Sequence, residues 1–211
     1  MAGMRTEERI TLAMAELLRK QGYAATGVNQ LARAADAPTG SIYHHFKGGK
    51  RDVAAAALRS SGAAYIQLLP LLLDPHDDLV TGIEAAFAAA ADDMRDTGWA
   101  NMCPVGTVTG EVADTEPLLR EVAGEVMGGW VEEGTRYLAG RGLPEPAARS
   151  AMYALLTALE GAFILARGLR STDPFAAAGR SVAAYVASLV EQAADAPHAE
   201  AAPSAPGTAP A

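Results

Sequence analysis

The strongest constraint on this chain is a helical apolar period that recurs between proline- and glycine-bearing breaks. Ile10, Ala13, Met14, Leu17 and Leu18 fall at i, i+3, i+4, i+7 and i+8, and Val182, Tyr185, Val186, Leu189 and Val190 repeat the stripe far downstream. The alternating runs of β-branched residues that make half-buried strands are absent. The chain therefore reads as all-α, with about nine helices, and the breaks place them. Gly22 closes a first helix over 5–21. Thr26 suits the N-cap of a second, to about Ala35, which stops at Asp36-Ala37-Pro38 because a residue before proline leaves the helical region. A third spans 39–45 and ends at Lys47-Gly48-Gly49. A fourth begins near Lys50 and runs to about Leu69, where Pro70 kinks or ends it. Asp74-Pro75 reads as a cap followed by a first-turn proline, opening a fifth helix to about Arg95. A sixth over 102–113 is weakened by Pro104, Gly106 and Gly110. The seventh runs from Pro117 to about Ala139, the eighth over 145–169, and the ninth over 175–194.

With 211 residues, half of them hydrophobic and 20% charged, the chain can bury a sizeable core as one large domain or two small ones. Cys103 is the single cysteine, so no intrachain disulfide forms. The N-terminal residues lack a secretory pattern, and the apolar stretch 151–166 is interrupted by Thr157, Glu160 and Gly161, so a cytoplasmic protein without a membrane span is expected. Residues 195–211 hold seven alanines and four prolines and no larger apolar residue, the composition of a disordered tail.

The net charge of −8 is unevenly spread. Residues 1–60 carry nine Lys and Arg against five acids, a balance of +4; the remainder carries eight against twenty, a balance of −12. A basic end on an acidic chain suits a polyanionic partner, although chance clustering on solvated faces gives the same sum.

Two short helices joined by a tight break after a leading helix fit a helix-turn-helix inside a three-helix unit. Its second short helix would lie in the major groove of double-stranded DNA with its N-terminal residues at base edges. Thr39, Gly40 and Ser41 occupy that end, Gly40 letting backbone approach closely and the hydroxyls reaching bases or phosphates. Tyr43 and His44 follow one turn on, whereas Ile42 and Phe46 are core anchors. Lys50 and the Thr26 hydroxyl are placed for phosphates. Other chemistry fares worse. His44 and His45 are adjacent, about 100° apart on a helix, with no acidic or cysteine partner near, so no metal site is expected. The Gly48-Gly49-Lys50 run lacks the upstream glycine and following hydroxyl of a phosphate loop. Between Leu58 and Ala194 the only histidine is His76, with no nucleophile–base–acid set and no dinucleotide loop, so neither catalytic residues nor a cofactor are expected. The alternative is a helical small-molecule carrier or enzyme with a basic helical appendage.

Gln30-Leu31-Ala32, Gly40-Ser41-Ile42-Tyr43-His44-His45-Phe46 and Lys50 together resemble the DNA-binding segment of the TetR-like transcriptional repressors. Ala37-Pro38 and Cys103-Pro104-Val105-Gly106 are similar to the LmrA/YxaF-like branch. The motif covers about residues 5–58, and the helix plan agrees across 1–194. The resemblance implies a helix-turn-helix domain over 1–48 and a ligand-binding and dimerisation domain over 49–194. It further implies a homodimer on a palindromic operator, released when an effector in the body changes the spacing of the two heads.

In the body, Phe87, Trp99, Met102, Cys103, Met127, Trp130, Met152, Tyr153 and Leu156 offer the adaptable and flat surfaces of a pocket for a small apolar or aromatic effector, and equally those of an ordinary core. Glu160 stands in an otherwise apolar helix and needs a partner if buried. A ligand, Arg167 or a dimer seam would each serve. Cys103 beside Pro104 is either an activated thiol at a helix start or a buried inert one. The apolar surfaces of the last two helices, with Leu155, Leu159, Phe163, Val182, Tyr185 and Leu189, are compatible with the four-helix dimer seam that the resemblance implies. The glycines of the sixth and seventh helices make these two soft, suited to reshaping around a ligand.

Overall fold

The structure is a computed structural model, and it describes residues 4–195 except residue 113. The expected disordered tail lies, apart from its first residue, outside the described residues. Helices are the only regular elements among the described residues, with no strand: α1 Thr6–Gln21, α2 Val28–Ala34, α3 Thr39–His45, α4 Lys50–Ile66, α5 Leu68–Leu73, α6 Leu79–Asp96, α7 Pro104–Val112, α8 Pro117–Gly140, α9 Glu145–Leu169 and α10 Asp173–Asp195. The nine-helix plan stands, with the fourth helix divided at Gln67. Pro70 has no N–H for the Ile66 carbonyl and its ring crowds that turn, so the chain breaks three residues earlier.

The start of α6 departs from expectation. Asp74 ends α5, and the N-cap is Asp78, whose carboxylate accepts from the Thr81 N–H at 2.8 Å and the Thr81 hydroxyl at 2.9 Å. The Asp74-Pro75 signal loses because α5 runs straight into it, whereas Asp78 has a partner three residues on.

Packing divides the chain into two cores. The first joins α1–α4 to α7 and the front half of α8: Ile10, Met14, Leu18, Leu31, Ile42 and Phe46 pack in one cluster with Val53, Leu58, Val105, Val108, Leu119 and Trp130. The second unites α5, α6, the back of α8, α9 and α10 around Ile83, Phe87, Met94, Leu138, Met152 and Phe175. The N-terminal helices thus share a core with part of the body, and Leu156 touches both cores. Two stretches, Lys50–Leu73 and Glu145–Leu169, are long and apolar enough to cross a membrane. In the fold, α4 sinks one face into the first core, and α9 packs between α8 and α10 while leaving a second apolar face open.

Candidate DNA-reading head and effector-binding body

The two-helix unit is held by contacts that the chain supplies locally. Between α2 and α3 the backbone turns through Asp36 at φ +46°, a left-handed position that aspartate tolerates. Arg9 in α1 pins this turn, donating from Nε to the Ala35 carbonyl at 3.1 Å and from Nη2 to the Asp36 carbonyl at 3.0 Å. An open cleft of about 590 Å³ lies beside it, lined by Asn29, Arg33, Asp36, Pro38 and Thr39.

At the tip of α3, Thr39 and Ser41 are part-exposed, and Gly40 faces open space where a Cβ would meet nothing. Tyr43 is 51% exposed and His44 is exposed, while Ile42 and Phe46 are buried as anchors. Gly49 is required twice over: its φ is +63°, and a Cβ there would stand 2.9 Å from the Tyr43 ring.

Two members of the expected set are placed differently. Thr26 is fully buried, its hydroxyl donating to the Gly22 carbonyl at 2.7 Å, and α2 takes Gly27 as its N-cap. Its side chain closes the end of α1 and is not presented to a phosphate. Lys50 is part-buried, its Nζ 4.0 Å from the centre of the Tyr23 ring. Burial pulls its pKa down, and the charges of Glu111 and Glu116 oppose that. A phosphate here would share the ammonium with Tyr23.

The acids around Lys50 belong to a junction that sequence reasoning missed. Glu111, in the last turn of α7, accepts the Tyr23 N–H at 2.6 Å and the Ala24 N–H at 2.7 Å. The Tyr23 hydroxyl points to Glu116 at 3.5 Å, and Arg167 of α9 donates to the Lys20 carbonyl at 2.8 Å. The loop after α1 is thereby tied to the body through its backbone. The residue that ties it stands 88 positions downstream in a glycine-interrupted helix, and nothing local in the sequence marks it.

The expected pocket residues do not converge as one set. Cys103, Met127 and Trp130 belong to the first core, with the Trp130 indole donating to the Gly62 carbonyl at 2.8 Å and stacking on Tyr65. Phe87, Trp99, Met102 and Met152 belong to the second. Phe87 floors a separate groove of about 420 Å³ between α6 and α10, with Phe175 and the charged Glu84 and Arg180. Tyr153 is 56% exposed on the outer face of α9, so it lines no interior pocket. Trp99 sits at φ +65°, a strained conformation for an aromatic residue, in the loop that leads to α7.

At the meeting of the cores, Glu160 faces Cys103. Burial pushes the Glu160 carboxyl up, the thiol opposing it. Burial and the Glu160 charge raise the Cys103 thiol, which keeps its proton. Cys103 is buried, as one of its two expected readings has it. Arg167, engaged with Lys20, does not serve Glu160.

The residues of the expected dimer seam are placed unevenly. Leu155 and Val182 are buried within the protomer, and Phe163 packs edge-to-face on Phe175 with centroids 5.0 Å apart. Tyr185 bonds Ser150 at 2.6 Å, and Leu159 and Leu189 are half-buried against the second core. The exposed large apolar side chains of α9 and α10 are Tyr153, Ile164 (62% exposed), Leu165, Leu169 (66%) and Val190. In helices apolar on several sides, the side that packs at home is set by tertiary neighbours and not by the stripe.

Among the described residues no cluster of metal-ligating side chains occurs. The family described as bacterial regulatory proteins, tetR family, matches residues 10–57, and the family described as transcriptional regulator LmrA/YxaF-like, C-terminal domain, matches 80–181. The chain is 29% identical over 169 residues to the HTH-type transcriptional regulator YxaF of Bacillus subtilis, covering 80% of this chain and 88% of that protein. It is 28% identical over 169 residues to LmrA of the same organism, covering 80% and 90%. Among solved structures, a TetR transcriptional regulator from Chloroflexus aurantiacus aligns with TM-score 0.70 and 28% identity, covering 86% of this chain and 94% of that one. The regulatory protein TetR from Rhodobacter sphaeroides aligns with TM-score 0.73 at 21% identity, covering 84% and 97%, which bears on the fold alone.

Proposed function

The chain belongs to the TetR family of bacterial regulatory proteins, with an LmrA/YxaF-like C-terminal domain, and from that premise we propose how its parts divide the work. The protein is a ligand-responsive DNA-binding regulator and not an enzyme. It acts in the cytoplasm as a repressor, a homodimer on a palindromic operator that a small effector releases. Residues 1–48 form the reading head and 49–194 the sensing and dimerising body.

The observation that carries the reading is the exposed tip of α3. Thr39, Gly40, Ser41, Tyr43 and His44 stand out from a head whose anchors are buried beneath them. Thr39 and Ser41 reach base edges or phosphates, and Tyr43 and His44 meet the backbone flanking them. The exposed Arg33, Lys47 and Arg51 supply the sequence-independent attraction. The partners of the dimer meet through the open faces of α9 and α10, around Tyr153, Ile164, Leu169 and Val190.

Head and body communicate through α7. Its first turn lies against Glu160, and its last turn holds the head loop by Glu111. A ligand that displaces α7 relaxes the two backbone hydrogen bonds at Tyr23 and Ala24 and frees the head to tilt. The alternative of a carrier or enzyme with a basic appendage gains no support from this arrangement.

The test is a fluorescence-anisotropy titration of the DNA flanking the protein's own gene against scrambled DNA, with wild type, Ser41→Ala and Tyr43→Ala. Each variant is expected to weaken binding to the flanking DNA by about tenfold and to narrow its margin over scrambled DNA. Unchanged affinity in both variants would overturn the α3 assignment.

A further inference from the structure

Glu160 lies mid-way along α9 among apolar and small neighbours, and its carboxylate reaches across to the first turn of α7. There it lies against the backbone at Gly106, whose N–H donates to the Cys103 sulfur at 3.4 Å. A Cβ on Gly106 would overlap a carboxylate oxygen and stand 2.9 Å from the carboxylate carbon, so the glycine leaves the room that the acid occupies. Among the described residues no lysine, arginine or histidine lies within ion-pair distance of it. A thiol is a weak donor and leaves most of the acceptor capacity of a carboxylate unused. One residue beyond Gly106, the Thr107 hydroxyl is buried without a partner. A largely buried acid with so little compensation costs stability, and such a group in a native fold calls for an explanation.

Position supplies one. Glu160 stands where the two cores meet: Leu156, one turn before it, packs against both, and Cys103 belongs to the first core. A strong acceptor thus sits between two apolar masses. The helix it touches, α7, is the one whose other end grips the head through Glu111.

We propose that this junction is the effector site and that it takes an apolar or aromatic molecule carrying a protonated amine, the ammonium donating to Glu160 and the apolar part wedging between Leu156 and the first core. The proposal deepens the ligand-responsive reading above and rests on it. A cation gives the carboxylate charge-assisted hydrogen bonds in a place where water is scarce. A neutral molecule of the same shape gains only the apolar contact, and an anion meets a like charge. Lodging at Glu160 separates α9 from the first turn of α7, and the displacement reaches the head along a helix of nine residues.

The test is isothermal titration calorimetry with matched pairs of increasing size: benzylamine and benzyl alcohol, 1-naphthylmethylamine and 1-naphthylmethanol, 9-anthracenylmethylamine and 9-anthracenylmethanol. Wild type is expected to bind at least one amine about tenfold or more tightly than its alcohol. Glu160→Gln brings the pair to within about twofold, and Glu160→Asp, which keeps the charge, retains a preference for the amine. Alcohols binding as well as amines, a preference that survives in Glu160→Gln, or no binding by any of the six compounds overturns the proposal. Selective DNA binding, measured on the same wild-type preparation, separates the two readings. If it is present while the amine preference is absent, only the effector class falls; if it is absent, the regulatory reading falls.

Discussion

Glu111 makes two backbone hydrogen bonds that no residue near the α1–α2 loop supplies. Glu111→Ala removes both acceptors at once and leaves the buried Tyr23 N–H unpaired, a loss of about 1–3 kcal/mol. Thermal unfolding should report the lower stability, and amide hydrogen exchange should show Tyr23 and Ala24 exchanging much faster while the α4 core is unchanged. Protection at those two amides equal to wild type would remove the junction from the account. Glu160 behaves in the opposite sense. Its carboxyl is held above the ordinary carboxylate range, so the folded chain binds that proton more tightly than the unfolded chain does. The stability it costs grows as pH rises past the ordinary carboxylate pKa and is fully present once the folded group has ionised. Glu160→Gln is expected to raise Tm by a few degrees at pH 7 and by less at pH 4; a variant less stable than wild type at pH 7 would contradict this. The two acids differ in legibility for a plain reason. Glu160 interrupts an apolar run and draws the eye, whereas Glu111 reads as a surface acid until the fold brings a loop from 88 residues upstream against it. Thr26 shows the converse, a good cap residue spent on closing α1 because Gly27 already has the extended backbone that opens α2.

At the scale of elements, punctuation was readable and rotation was not. Pro117, Gly140 and Asp173-Pro174 mark boundaries that the structure keeps, because proline and glycine act through the local backbone. The phase of α9 and α10 depends on which neighbours they meet, so Leu155 and Val182 point home while Ile164 and Leu169 face out. The expected pocket set divides on the same ground: Phe87 and Trp130 are both large and buried, yet they lie in different cores. The softness expected of α8 has a direct test. Gly124, Gly128 and Gly129 are exposed in its middle, and a Cβ on any of them would meet nothing. Gly128→Ala should therefore stabilise the protein by about 0.5–1 kcal/mol in urea unfolding. A destabilised variant would mean that the bare backbone there is used, by a partner or by a bend.

At the scale of the whole molecule, a basic end on an acidic body orients the protein towards DNA while the body repels it. The exposed apolar side chains of α9 are the surface that the proposed dimer would cover. If the proposed dimer meets there, replacing Ile164 and Leu169 together with aspartate should give a folded monomer in sedimentation-velocity analysis, with operator affinity falling by about a hundredfold or more as the two half-sites lose their linkage. An unchanged sedimentation coefficient would move the seam elsewhere. The most direct test of the central claim is the salt dependence of DNA binding by the intact protein, measured with the DNA flanking its own gene and with a scrambled sequence. Selective binding to the flanking DNA is expected, with an affinity that falls steeply, by about a thousandfold between 50 and 200 mM salt if six phosphates are met. Binding that is equal on both sequences, or that is indifferent to salt, would contradict it.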